Sequence, residues 1–110
     1  MKKKMQNVVY KSDSKLEKNF QRNLIKDIKE KFPDSIVMKT DASQIQGIPD
    51  LLVLNDNKWA ALECKRHKKA HRQPNQEYYV DKMNKMSFAR FVYPENKEEV
   101  LDELSKTFKR

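Results

Sequence analysis

The sequence predicts an α/β domain with the element order helix, three strands, helix, strand and a closing helix. Three observations carry that prediction. Apolar residues recur at helical spacing in three separate blocks, residues 16–32, 79–86 and 100–108. Two continuous apolar runs, Leu51-Leu52-Val53-Leu54 and Trp59-Ala60-Ala61-Leu62, flank a short polar turn, as the buried strands of a hairpin do. Ile36-Val37-Met38 and residues 88–93 are rich in β-branched or aromatic side chains, which suit strands. A length of 110 residues fits one domain, and no repeat or interdomain linker interrupts it.

Each element has a local reason. Residues 1–11 have no clear period and read as a basic N-terminal arm, with the domain proper over 12–110. Ser14 and Glu17 have capping-box spacing, which predicts a helix starting there. Leu16, Phe20, Leu24, Ile28 and Phe32 would form its apolar stripe, and Pro33 stops it. The first strand follows, then a loop over residues 40–47. Asn55-Asp56-Asn57 makes the hairpin turn, because Asn and Asp tolerate left-handed backbone. Pro74 suits the first position of the next helix, whose apolar face is Tyr79, Val80, Met83 and Met86. Pro94 closes the last strand. Asn96 and Glu99 repeat the capping-box spacing before a final helix with Val100, Leu101, Leu104 and Phe108 on one face.

Composition narrows the function. Lys+Arg number 24 and Asp+Glu 16, a net charge of +8, which points to a polyanionic partner such as nucleic acid. No apolar run approaches the roughly 20 residues of a membrane span, so no membrane partner is expected. The lysines at the start precede only Val8, Val9 and Tyr10, too short an apolar core for a secretory signal. The single cysteine, Cys64, excludes an intramolecular disulfide and a multi-cysteine zinc site, and a cytosolic compartment fits best. The basic excess is uneven. Residues 94–110 are near neutral, whereas residues 65–72 hold five Lys/Arg, two His and no acid.

The most informative stretch runs from Pro49 to Lys65. If Asp56-Asn57 form a two-residue turn, Asn55 pairs with Lys58, Leu54 with Trp59, and Asp50 falls opposite Glu63. Facing residues have Cβ atoms about 4.5–5.5 Å apart. Lys65, two residues beyond Glu63, shares its face of the strand. Two carboxylates that close repel, and partial burial increases the cost. Lys65 could compensate, and a divalent cation with oxygen preference would do so better. Beside a basic groove, such an ion would hold a phosphodiester and lower the pKa of a bound water. A salt-bridged hairpin end with no chemistry is the simpler alternative. As text the pattern is weak, since the chain holds five acid-x-Lys triplets. Only Glu63-Cys64-Lys65 directly follows an apolar strand, and only Pro49-Asp50 leads into one.

Pro49-Asp50 followed by Glu63-Cys64-Lys65 resembles the signature of the PD-(D/E)xK nuclease superfamily. Gly47-Ile48-Pro49-Asp50-Leu51 and the later Gln76 are similar, more narrowly, to the virus-type replication-repair nuclease (VRR-NUC) group. The resemblance covers about residues 14–93. It implies a restriction-endonuclease-like αβββαβ core, a mixed sheet flanked by helices, with a C-terminal helix added. It implies that Asp50, Glu63 and the backbone carbonyl of Cys64 bind Mg²⁺ or Mn²⁺, with Glu17 as a further acid, and that Lys65 assists the attacking water. Gln76 would sit near the active site. The Lys/His-rich link after Lys65 departs from the shorter Gly/Pro-containing link of relatives.

The resemblance therefore implies a metal-dependent DNA endonuclease, acting on branched or double-stranded DNA such as a four-way junction, as a homodimer. Lys65, Arg66, Lys68, Lys69, Arg72, Gln73 and the N-terminal arm would grip the DNA backbone. Glu17 has a competing explanation as a helix cap. Gln76 shares a helical face with Tyr79, Val80 and Met83, where a polar group needs a partner. His67 and His71 have metal-compatible spacing only if their segment is helical. Cys64 should point away from Glu63 and Lys65 as a small buried residue. Two other readings stay open: a non-catalytic DNA-binding or inhibitory module on the same fold, and an RNA nuclease.

Overall fold

The computed structural model describes the backbone of residues 2–109 and the side chains of residues 14–109. Helix α1 spans Lys2–Lys31 and is followed by strands β1 (Ile36–Lys39), β2 (Leu51–Asn55) and β3 (Lys58–Cys64). Helix α2 (Pro74–Met86), strand β4 (Ala89–Val92) and helix α3 (Lys97–Phe108) complete the chain. The strands lie in the order β1-β2-β3-β4. The first two pairings are antiparallel and the third is parallel, so the sheet is mixed. A parallel neighbour requires a crossover, and α2 supplies it between β3 and β4.

The hairpin register is the one the sequence predicts, running from Asn55↔Lys58 to Leu51↔Leu62. Its turn rests on Asp56, the non-glycine residue with a positive φ (59°). Alternation then sorts the side chains. Leu51, Val53, Ala60, Leu62, Cys64 and Val92 face α1 and α3, where they pack with Leu24, Ile28, Val100, Leu101, Leu104 and Phe108. Ala61 and Ala89 face α2 and pack with Val80, backed by Trp59, Met83 and Phe91. Small residues at 61 and 89 let α2 approach the sheet closely.

Several local expectations are corrected. Helix α1 begins at Lys2, not at Ser14, so the 1–11 segment read as an arm has a helical backbone from Lys2 onward. No Gly or Pro occurs before Pro33, and Lys, Gln and Met favour helix. Ser14 and Glu17 therefore lie inside the helix, where the amides of a first turn are already bonded and no capping box can form. The arm's lysine side chains fall outside the described residues. Leu16 (57% exposed) and Met86 (68%) leave the core stripes assigned to them. The sheet does not extend beneath either helix end. Asn96 precedes α3 but makes no side-chain cap. Its Oδ1 accepts the Tyr93 N–H and its Nδ2 donates to the Phe91 carbonyl, tying off β4 instead.

Gly47 is positioned by a close approach. Its φ is +90°, and a Cβ there would overlap the Asn75 side chain and come within 2.8 Å of the Asn75 carbonyl carbon. Only glycine meets both conditions without strain. The loop before Asp50 is thereby held against the first turn of α2.

Candidate active site

Asp50 immediately precedes β2, and Glu63 and Cys64 end β3. Asp50 Oδ2 accepts the Cys64 backbone N–H at 2.9 Å. Thr40 fixes the Asp50 backbone from the other side, donating its N–H to the Asp50 carbonyl (2.9 Å) and its hydroxyl to the Pro49 carbonyl (2.6 Å). Glu63 is 2% exposed and Lys65 6%, the two charged side chains buried among the described residues. Lys65 Nζ stands 3.8 Å from Glu63 Oε2.

Gln76, in the first turn of α2, joins these groups. Its Oε1 accepts from Lys65 Nζ at 2.8 Å and from the Gln73 N–H at 3.0 Å. Its Nε2 donates to Glu63 Oε2 at 3.0 Å. Two donors on one side and a carboxylate on the other fix which end of the amide is which. Gln73, the residue before Pro74, is the N-cap of α2. The polar residue on the inner helix face thus finds its partners on β3.

The electrostatics are those of crowded acids. Burial, then the neighbouring Asp50 carboxylate, pushes the Glu63 carboxyl up to about 8, against the attraction of Lys65. Glu17 adds to the repulsion, which places α1 within electrostatic reach of the pair. Burial also raises the Asp50 carboxyl, opposed by the Cys64 N–H and by Lys65. Glu63 Oε1 is buried with no hydrogen-bond partner among the described residues. An orphaned anionic oxygen of this kind is costly unless the site holds a proton or a cation. The Cys64 thiol faces the core, and burial followed by Asp50 and Glu63 pushes it far up, so it stays neutral. A neutral buried thiol is no nucleophile.

A cleft of about 400 Å³ adjoins this network and is lined by Ser14, Glu17, Lys65, Arg66, His71, Gln73 and Gln76. Lys65 and Gln76 form its wall, and Glu63 lies behind them. The basic link does not stay together. Arg66 and His71 reach the cleft, while Lys68 and Lys69 are exposed on a turn and the Lys68 N–H bonds to Glu95 Oε2 (3.3 Å). Arg72 turns to a separate groove of about 440 Å³ between α2 and β4, its guanidinium 3.9 Å above the Phe91 ring. The segment carrying His67 and His71 is not helical, and His67 Nδ1 accepts the Lys69 N–H, so the two imidazoles do not form an i, i+4 pair. His71 is the cleft residue to which the sequence reading gave no chemical role; its one signal was its place in the basic link.

Among the described residues, no group of three or more His, Cys, Asp or Glu is arranged to hold a metal ion. No family model, curated protein or solved structure matches the chain. No helix among the described residues is long and apolar enough to cross a membrane.

Proposed function

We propose that the protein is a metal-dependent phosphodiester hydrolase acting on DNA, an endonuclease of the PD-(D/E)xK type. The observation that carries this reading is the buried pair Asp50 and Glu63, with one Glu63 oxygen unpartnered, next to Lys65 and a cleft edged by Arg66 and His71. A divalent cation fits this donor set: two hard carboxylates whose mutual repulsion it would relieve, with the Cys64 carbonyl as a neutral third donor. Asp50, Glu63 and that carbonyl would hold Mg²⁺ or Mn²⁺. When bound, the ion supplies charge stabilisation at the phosphoryl oxygens and a more acidic water.

The chain's own residues do the rest. The Asp50 backbone is pinned by Thr40 and its carboxylate oriented by the Cys64 N–H, so it cannot swing away. Gln76 aims the Lys65 ammonium along the cleft wall and keeps it off the carboxylate. Lys65 is then poised to orient a water or a developing phosphoryl charge. Arg66 and His71 add positive charge where a phosphate backbone would enter. Branched DNA, such as a four-way junction, cut by a homodimer is the substrate reading that the PD-(D/E)xK and VRR-NUC resemblance supplies.

A second reading has its own observation. Neither carboxylate lines the cleft, and Asp50, Glu63, Lys65 and Gln76 already bond to one another or to backbone. A non-catalytic nucleic-acid-binding module would need no more than this.

Cleavage of linear, nicked, flapped and four-way DNA with Mg²⁺, Mn²⁺ or EDTA separates the two. The nuclease reading expects metal-dependent nicking that falls by roughly a thousandfold or more in Asp50→Ala and Lys65→Ala, the scale of lost electrostatic stabilisation. It also expects Mn²⁺ to raise the melting temperature of the parent protein but not of Glu63→Ala. Cleavage that survives both substitutions sinks the site, and DNA binding without any metal-dependent cleavage favours the module.

A further inference from the structure

We propose that the free edge of β1 pairs with the same edge of a second copy of this chain, joining two four-stranded sheets into one. The proposal stands independently of the chemistry assigned to the acid pair. Strand β1 is the outer strand of the sheet, and its far edge has no neighbouring strand. Native edges of this kind carry a charge, a proline or a bulge that blocks pairing. The run Ile36-Val37-Met38 has none of these, and the one charge of the strand is Lys39 at its end. Ile36 is 58% exposed and Met38 43%. They project from the sheet face that α2 leaves open, next to the half-buried Leu52 and Leu54 opposite them on β2. Helix α2 packs on β3 and β4 instead.

The hydrogen-bond pattern selects the register. Bonded and non-bonded pairs alternate along an antiparallel ladder. The Thr40 N–H donates to the Asp50 carbonyl, so the bonded pairs of β1 with β2 fall at Thr40, Met38 and Ile36. The N–H and C=O of Val37 and Lys39 therefore point outward. A two-fold axis perpendicular to the sheet at Val37 lets Val37 exchange both bonds with its own copy. It also brings the Lys39 N–H to the Ser35 carbonyl of the second copy, whose own N–H is already given to Phe32. Ile36 then faces the second copy's Met38, apolar on apolar, and the relation is reciprocal as two-fold symmetry requires. Shifting the axis to Lys39 would stack ammonium on ammonium. With the axis at Val37 the two Lys39 residues stand four positions apart along the strand, about 13 Å, beyond the screening length of roughly 8 Å.

A second copy is thus a better match than an arbitrary extended peptide, because the edge complements itself in donors, apolar contacts and charge. Thr40 continues β1 and holds the Pro49 and Asp50 carbonyls, so pairing would brace the acid-bearing segment of both copies. The contact is small, and dissociation in the micromolar range is expected.

Sedimentation velocity from low to high micromolar concentration tests the idea, with circular dichroism to check folding. The parent chain is expected to shift from monomer toward dimer. Both positions are exposed, so substitutions there should leave the monomer folded. Ile36→Glu with Met38→Glu sets acid against acid across the axis and should weaken association roughly tenfold or more. Ile36→Lys with Met38→Glu sets lysine against glutamate in this register and should restore it. A parent chain that stays monomeric throughout overturns the proposal, as does a dimer indifferent to the double-Glu change. Loss of association in the Lys/Glu pair would overturn the register, and uptake of an added extended peptide by a monomer would assign the edge to another partner.

Discussion

The two faces of the sheet are closed in different ways. One is covered by α1 and α3, and its buried residues are apolar from β2 across to β4. The other is covered only by α2, over β3 and β4, with a small apolar patch around Ala61, Val80 and Ala89. The first face therefore carries most of the hydrophobic stabilisation. The second spends its length on Glu63, Lys65 and Gln76 at one end and leaves Ile36 and Met38 uncovered at the other. A fully packed face lets its opposite tolerate buried charge, because the fold does not depend on that end for apolar contact.

The largest test of this contrast is a pair of truncations. Leu62→Ala, fully buried on the closed face, should cost about 2–5 kcal/mol in denaturant unfolding. Val80→Ala on the α2 face should cost roughly 1.5 kcal/mol, the value of the apolar atoms lost. Equal losses would break the comparison.

A smaller effect sharpens it through pH. The Glu63 carboxyl is raised from 4.5 to about 8 in the fold. Below pH 4.5 the folded and unfolded chains are both protonated there and nothing is lost. Between pH 4.5 and about 8 the folded state binds more protons than the unfolded one, so stability falls as pH rises. Metal-free protein should lose on the order of a few kcal/mol across that window. Glu63→Gln should flatten the loss, and thermal melts at pH 5 and pH 8 in EDTA check it. A parent protein equally stable at both would remove the electrostatic account of the site.

The smallest expected effect concerns the exposed part of the basic link. Lys68→Ala and Lys69→Ala should each reduce the slope of log affinity against log salt for duplex DNA by up to about 1, with little change in melting temperature. Arg72→Ala should lower stability as well, since it removes the guanidinium from the Phe91 ring. If all three behaved alike, the separation of Arg72 from the cleft would carry no consequence for binding.

The strands were legible because period and punctuation agreed. The runs Leu51-Leu52-Val53-Leu54 and Trp59-Ala60-Ala61-Leu62 left one short turn between them, and a two-residue turn admits one register. Helix ends were less legible. Ser14 and Glu17 had the right spacing for a cap, but a capping box is a local pattern that also occurs within a longer helix. Asn96 lost its cap role to two backbone groups of β4, partners invisible in a linear reading. Leu16 and Met86 fit their stripes and found nothing to pack against.

By itself the sequence determined the α/β element order, the hairpin register and the adjacency of Asp50 to the end of β3, because strand alternation and turn length are local properties of the chain. Tertiary structure decided what those residues meet. It set Gln76 between Lys65 and Glu63, turned Arg72 onto Phe91 and away from the cleft, and put Glu63 Oε1 out of reach of a donor. Those outcomes depend on where α2 lands on the sheet, which follows from the small residues Ala61 and Ala89 and the close contact at Gly47. Packing geometry of that kind has no signature in spacing.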